Sequence, residues 1–135
     1  MYLSLLILGA PVGKERPRVT RNGKHTYTPP KTKNYATMIK TLYVRSHGTL
    51  MAFPPKQKIY MAMMVYFKND VRPDLNNVER LITDALEGLS YKNDKVVACS
   101  YKDYDYDKEK PRVELLMSDK LINKADFEMY YADTE

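Results

Sequence analysis

Apolar residues recur along this chain with two different spacings, which predict its secondary structure. Runs that are continuously apolar, or that alternate with polar residues, are typical of strands. Four such runs are YLSLLILG (2–9), KIYMAMMVYF (58–67), KVVACSYKDYDY (95–106) and PRVELLMS (111–118). Residues 31–48 and 75–86 instead carry apolar side chains every three or four positions and predict amphipathic helices. A weaker pattern over 119–131 predicts a last helix or a tail.

The order of these elements, β-α-β-α-β-β, indicates an α+β fold in which a small mixed sheet of about four strands packs with two main helices. We expect a single domain over residues 1–135, since this length suits one hydrophobic core. The pattern does not specify the strand order, although we expect the fourth strand to pair antiparallel with the third. RNGK (21–24) predicts a turn between two short hairpin strands.

Composition argues against several classes of protein. No apolar run approaches the roughly 20 residues of a membrane-spanning helix. The single cysteine, Cys99, cannot form an internal disulfide, and its apolar neighbours predict a thiol in the core. Two histidines without ligand spacing argue against a zinc site. We therefore expect a cytoplasmic protein that has no membrane segment.

Positive charge is concentrated in one segment of the chain. The net charge is +5. Residues 14–33 (KERPRVTRNGKHTYTPPKTK) are rich in lysine and arginine and contain one acid, Glu15, whereas the end of the chain, ADFEMYYADTE, is acidic. Charge that is segregated in this way indicates an anionic partner more strongly than the net charge does, without naming that partner.

The start of the second helix carries more polar side chains than a helix end needs. In RPDLNN, Asp74 and Asn76 stand at the helix mouth, and Arg80 and Asp84 follow Asn76 at intervals of four residues on one face. One interpretation is structural, with Asp74 as the N-cap and Arg80 and Asp84 as a surface ion pair. The other is a Mg²⁺ or Mn²⁺ site, which requires a topology that brings Asp74, Asn76 and Asp94 together.

Two separate motifs resemble the RusA family of Holliday junction resolvases, which is common in prophages. GAPVGKERPRVTRNGKHTYTPPKT is similar to the family's G-x-P-x-x-K-x-R-P-R, a turn, and Y-T-P-x-K-T. RPDLNNVERLITDALEGLSYKND is similar to a basic or polar residue, D-x-D-N, a helix ending in D-A-L, and a loop that carries D-D. The resemblance covers most of the chain.

The resemblance implies a homodimeric endonuclease that cuts four-way DNA junctions with Mg²⁺, or with Mn²⁺ as a substitute, and without a small-molecule cofactor. A two-fold symmetric dimer would present two identical sites to two symmetry-related strands of the junction. Paired nicks would then separate the junction into duplexes during DNA recombination and repair. The first strand, the first helix and the tyrosine-rich third strand all remain candidates for the dimer surface.

The resemblance also implies roles for individual residues. Asp74 and Asp94 match family acids and would be catalytic metal ligands. Arg80 stands where some members carry a functional lysine, and it would stabilise the charge of the scissile phosphate. Asp84 would be either a further ligand or the helix-face partner of Arg80. Asn76 stands at the second acid of D-x-D-N and would bind the metal through its amide oxygen.

The basic segment would hold DNA phosphates, because its first cations match the family's basic loop. The predicted DNA-binding residues are Lys14, Arg16, Arg18, Arg21, Lys24 and Lys31. Unpaired bases at a crossover could stack on Tyr27, Tyr101, Tyr104 and Tyr106. Alternating tyrosines are, however, also ordinary on a half-exposed strand.

Two positions depart from the family pattern, since Asn76 and Asn93 stand where acids are expected. An amide oxygen can bind a metal but brings no charge, so Mg²⁺ affinity should be weaker. Either the site works with fewer acids, aided by Asp84, or the chain binds junctions and cuts them poorly, or the amides mark an inactivated variant. A plain nucleic-acid-binding module whose acids are helix caps, and a protein that binds no DNA, are the remaining alternatives.

Overall fold

The computed structural model describes residues 1–132, so the last three residues of the predicted domain lie outside the described range. The described elements follow the predicted order. They are β1 (Tyr2–Leu8), β2 (Arg18–Val19), β3 (Thr26–Tyr27), α1 (Pro30–His47), β4 (Ile59–Phe67), α2 (Leu75–Leu86), a 3₁₀ turn (Asp94–Val96), β5 (Val97–Tyr106), β6 (Arg112–Ser118) and α3 (Lys124–Ala132). The four long strands, the two main helices and the hairpin β2–β3 are therefore confirmed.

The four long strands form one mixed sheet in the order β1-β6-β4-β5. Strand β6 pairs antiparallel with both β1 and β4, whereas β4 and β5 are parallel. The predicted α+β fold with a small mixed sheet is confirmed. The expected antiparallel pairing of the third and fourth long strands is wrong, because β6 lies between β1 and β4 and does not touch β5 as a neighbour. Helix α2 is the crossover that joins the parallel strands β4 and β5.

Helices α1 and α2 cover one face of the sheet and bury the apolar stripes that the sequence predicts. Helix α1 begins at Pro30, where the missing N–H of proline is not needed, and it ends at His47. The next residue, Gly48, is the C-cap and has a φ of +80°. The buried side chains of the two helices are Thr32, Tyr35, Ile39, Tyr43, Val78, Leu81, Ile82, Ala85 and Leu86. The main core thus lies between these helices and the sheet.

Helix α3 packs on the opposite face of the sheet. Its Phe127 joins Leu116 and Ala62 in a second, smaller apolar cluster. The helix overlaps the segment 119–131, for which the sequence predicted either a helix or a tail, and extends one residue beyond it, so the helical alternative is the one observed. Within residues 1–132, no helix is both long and apolar enough to cross a membrane.

A bulge in β5 determines which of its side chains face α2. The pairing of β5 with β4 skips Ser100, which is the extra residue. A shift of one residue turns every following side chain to the other face of the sheet. Lys102 accordingly contacts Glu79 of α2 at 2.9 Å, while the ring of Tyr101 packs on Phe127 of α3.

Cys99 departs from the expectation of a core thiol. It lies in β5, an edge strand, and is an exposed residue, so that expectation is wrong. Partial burial of the sulfur, followed by the negative charge of Glu79, raises the pKa of the Cys99 thiol to about 12. The thiol therefore stays protonated at neutral pH, where it is a weak nucleophile.

Candidate nucleic-acid interface and metal centre

The basic segment is held against the first turn of α2 by a close backbone contact. The N–H of Lys14 donates to the carbonyl oxygen of Asn77 at 2.9 Å. A Cβ atom at Gly13 would lie 2.8 Å from the Cβ of Pro73 and 3.1 Å from the Cβ of Asn77. Since side-chain atoms do not approach so closely, glycine is the residue that this approach allows. The contact brings Lys14 alongside the polar face of α2.

A Gly13→Ala variant is expected to push the basic segment away from α2. The added methyl group would meet both Pro73 and Asn77, so we expect a loss of about 1–3 kcal/mol in the free energy of unfolding. Urea denaturation measures the stability, and DNA affinity measured on the same sample should fall because Lys14 is displaced. Unchanged values for both would show that the segment is not fixed at this point.

Lys14 also connects the basic segment to Asp84, with which its ammonium group forms an ion pair. The sequence left Arg80 open as the partner of Asp84, and within residues 1–132 the cation paired with Asp84 is instead Lys14. Their side chains are 48% and 40% exposed, so the pair itself contributes less than about 1 kcal/mol. Its significance is positional, because a cation of the basic segment touches one of the predicted metal ligands.

Two open clefts lie between the basic segment and α2. The larger has a volume of about 670 Å³ and is lined by Lys14, Glu15, Arg16, Pro17, Arg18, Asn77 and Arg80. The second adjoins it and includes Lys31, Arg72 and Asp74. Arg21 and Lys24 lie at the exposed turn of the hairpin β2–β3. Four of the six predicted DNA-binding residues therefore line the clefts, and the other two extend the basic surface beyond them.

At the N-terminal end of α2, the polar side chains have structural partners. Asp74 is the N-cap, and its carboxylate accepts a hydrogen bond of 2.7 Å from the N–H of Asn76. The amide oxygen of Asn76 accepts a hydrogen bond from the ammonium group of Lys102, which also pairs with Glu79. The capping interpretation of Asp74 is thus observed, and Asn76 faces a cation of β5.

At the C-terminal end of α2, three carboxylates form a group that we call the acidic triad: Asp84, Glu87 and Asp94. One oxygen of each lies within 4.8 Å of the others. The N–H of Asp94 donates to Glu87 at 3.4 Å, which holds the start of β5 against the helix end. Burial, and then the negative charges of the triad, raise the pKa of the neighbouring Tyr91 phenol. The triad thus concentrates three carboxylates at this end of α2, with Lys14 as the partner of Asp84.

The structure does not bring Asp74 and Asp94 together within one chain. Asp74 caps the start of α2, and Asp94 contacts Glu87 just beyond its end. The 12 residues of the helix span about 18 Å at a rise of about 1.5 Å per residue. In a parallel β-α-β unit the helix starts near the carboxyl ends of the strands, whereas the following strand starts at their amino ends. Asn93 caps the 3₁₀ turn by accepting from the N–H of Lys95 at 3.0 Å.

Most of the sequence of this chain matches a known protein family. The family model for endodeoxyribonuclease RusA matches residues 9–118, which include the basic segment, α2 and the acidic triad. The chain belongs to the RusA family. No curated protein matches the chain. The resemblance noted in the sequence is confirmed, and membership of the RusA family supports a nuclease that acts on DNA.

The divalent metal that the RusA family implies fits the donor set of the acidic triad. Three carboxylates whose oxygens converge within 4.8 Å offer the hard ligands that Mg²⁺ and Mn²⁺ prefer. Asp84 and Asp94 were predicted as ligands from the resemblance, whereas Glu87 was not. Glu87 is the C-cap of α2 and follows Asp84 by three residues, and this spacing was the available signal.

Proposed function

We propose that this RusA family member is a Mg²⁺-dependent endonuclease that resolves four-way DNA junctions by paired nicks. The observation that carries the proposal is the arrangement along α2, where the cationic cleft and the acidic triad meet at the ion pair of Lys14 and Asp84. A DNA strand held in the cleft would pass directly beside the carboxylates. Membership of an endodeoxyribonuclease family supports the same assignment.

The cations of the larger cleft would bind the DNA backbone. Lys14, Arg16 and Arg18 line one side of this cleft, and Arg80 of α2 lines the other. Contacts to phosphate give affinity without sequence information, so this cleft would accept junctions of different sequence. Arg80 lies between the cleft and the triad along the helix, and we assign it the stabilisation of charge on the scissile phosphate.

Asp84, Glu87 and Asp94 would hold the metal ion. Bound there, Mg²⁺ supplies positive charge to a phosphate oxygen and lowers the pKa of a water. The triad's negative charge attracts the ion, and Lys14 balances part of that charge in the free protein. Asp74 and Asn76 lie at the other end of α2, where they would not reach the same ion within one chain. The catalytic role that we assign to them would therefore be exerted at the second cleft, which Asp74 lines together with Lys31.

A symmetric homodimer would match the approximate two-fold symmetry of a four-way junction. Each protomer would contribute one cleft and one triad, so the two nicks would fall on symmetry-related strands. Nicks placed in this way leave two duplexes that ligation can seal, which is the product that DNA recombination and repair require.

A second function, junction binding with weak or no cleavage, is favoured by the two amides. The oxygen of Asn76 accepts from Lys102, and that of Asn93 accepts from the backbone of Lys95. Both amide oxygens are therefore engaged by protein donors, and neither brings the negative charge of the acid that the family pattern contains. Two fewer negative charges beside α2 would weaken the attraction of a metal ion without removing the basic cleft.

The test is cleavage of a labelled synthetic four-way junction with Mg²⁺ and with Mn²⁺, beside an Asn76→Asp variant. Paired symmetric nicks by the natural chain are the expected result. Tight binding without nicks, with nicking restored by Asn76→Asp, would instead establish the second function. If neither the natural chain nor the Asn76→Asp variant bound or nicked the junction, both proposed functions would be overturned.

An Asp74→Asn variant separates capping from catalysis. Asparagine caps a helix about as well as aspartate, so the free energy of unfolding should change by less than about 0.5 kcal/mol. Junction binding should also persist, whereas we expect the nicking rate to fall at least about tenfold if the carboxylate takes part in the reaction. Thermal unfolding and single-turnover nicking measure the two effects. A nicking rate equal to that of the natural chain would leave Asp74 with the cap alone.

A further inference from the structure

Two exposed tyrosines lie beside the second cleft because of the bulge in β5. After Ser100, the strand turns Tyr104 and Tyr106 to the face on which α2 packs, next to Phe67 at the end of β4. Their side chains remain 41% and 45% exposed. Tyr101, in contrast, lies on the other face and packs against α3. The odd spacing between Tyr101 and the other two tyrosines places them on opposite faces, and the bulge before Tyr101 determines which face each takes.

Arg72 holds these tyrosines in a fixed arrangement. Its guanidinium carbon lies 4.3 Å from the centre of the Tyr104 ring and 4.7 Å from that of Phe67. Its Nε donates to the hydroxyl of Tyr106 at 3.1 Å, and Nη1 donates to the carbonyl of Pro73 at 3.2 Å. The two tyrosine rings meet edge to face at 83°. Aromatic surface is thus presented to solvent in a preorganised form.

The same arginine belongs to the wall of the second cleft. Arg72 lines it with Lys31 and Asp74, and this cleft shares Lys14 with the larger one. The Arg72 guanidinium is charged throughout the accessible pH range, and the hydrogen bond to Tyr106 raises its pKa further. A nucleic-acid backbone that follows the cationic clefts would reach the tyrosines at the end of its path.

We propose that Arg72, Tyr104 and Tyr106 form a platform on which an unpaired nucleobase of branched or single-stranded DNA stacks. The proposal rests on the function proposed above and specifies how an opened crossover would be recognised. Aromatic rings and guanidinium planes both stack on bases, and such stacking tolerates any base because every base has a π-face. A cation held among the rings adds attraction to the neighbouring phosphate.

The absence of tryptophan from the chain allows a direct test. A Tyr104→Trp variant carries one tryptophan on the platform. A Tyr2→Trp variant is the matched control, because Tyr2 is 49% exposed and lies on β1 at the opposite edge of the sheet. Both are titrated, in EDTA so that no cleavage occurs, with a four-way junction, with a single-stranded oligonucleotide, and with an abasic oligonucleotide of equal length.

Stacking predicts that the junction and the single strand quench the tryptophan at position 104, while the abasic strand does not, although all three bind through phosphates. The control tryptophan should respond to none of them. In chains without the added tryptophan, Tyr104→Leu should weaken single-strand binding about tenfold, whereas Tyr104→Phe, which keeps the ring, should bind as the natural chain does. Equal signals from the abasic and natural strands, or natural affinity in Tyr104→Leu, would overturn the platform.

The platform and the nuclease can fail separately in these experiments. Absence of nicks with Mg²⁺ would remove the proposed resolvase activity, and base-dependent quenching by the single strand would still support the platform. Efficient nicking together with base-independent quenching would remove the platform and leave the nuclease. Melting temperatures of the variants show whether the fold persists, and Tyr104→Phe supports the ring assignment even if Tyr104→Leu is unstable.

Discussion

Substitution of Asp94 by asparagine is expected to abolish Mn²⁺ binding at the acidic triad and to slow junction nicking on the order of 1,000-fold. Asp94 belongs both to the triad observed in the structure and to the ligand set implied by the family motifs. The change keeps the shape of the side chain and removes one of three converging charges. Isothermal titration with Mn²⁺ measures the binding, and single-turnover assays measure the rate.

The matched control is Asp126→Asn, which makes the same chemical change in α3 on the opposite face of the sheet. The Asp126 carboxylate accepts from the N–H of Asn123, a bond that an asparagine oxygen can also accept, so the fold should persist. Neither Mn²⁺ binding nor nicking should change in this control. If Asp94→Asn bound Mn²⁺ as the natural chain does, the ion would have to lie elsewhere than the triad.

The spacing of apolar residues was sufficient to predict the helices and strands, because it reflects which side chains of each segment face the core. The apolar residues of the segment predicted as a helix over 75–86 are all buried in α2 except the first, Leu75, which is partly buried. The nearly continuous apolar runs of β4 and β6 are typical of strands covered on both faces, and both strands are central in the sheet. Alternation in β5 likewise fits its position at the edge.

Strand pairing could not be predicted in the same way. Several strands are equally apolar, and the choice among them depends on contacts between distant parts of the chain. The short connection between β5 and β6 favoured an antiparallel pair, but β6 instead finds two buried neighbours, β1 and β4. The bulge at Ser100 is similarly hidden, since an extra residue in an alternating strand leaves no mark in the composition of that strand.

The topology also explains why the candidate site was only partly predictable. Asp74 and Asp94 lie 20 positions apart in the sequence, and whether they meet depends on the direction of β5. Because β5 runs parallel to β4, Asp94 reaches the end of α2, where Asp84 and Glu87 complete a triad. Helix periodicity had already placed Asp84 on the correct face, whereas the ion pair of Asp84 with Lys14 required the fold of the basic segment.

Replacing Lys14, Arg16 and Arg18 by alanine is expected to weaken junction binding about 100-fold near physiological salt. These cations line the larger cleft with Arg80. If each contacts one phosphate, the dependence of log K on log salt should become shallower by about 2.7, since each lost contact releases about 0.9 fewer counterions. Fluorescence anisotropy at several salt concentrations measures both quantities.

A control with the same loss of charge distinguishes the cleft from the overall charge of +5. Lys110, Lys120 and Lys124 are exposed and lie outside both clefts, and their replacement by alanine should change the affinity less than about threefold. Lys14→Ala alone adds a further constraint, because Lys14 competes with a metal ion for Asp84. The Lys14→Ala variant should therefore bind DNA more weakly and Mn²⁺ more strongly. If the two triple variants lost the same affinity for the junction, the effect would come from overall charge and not from the cleft.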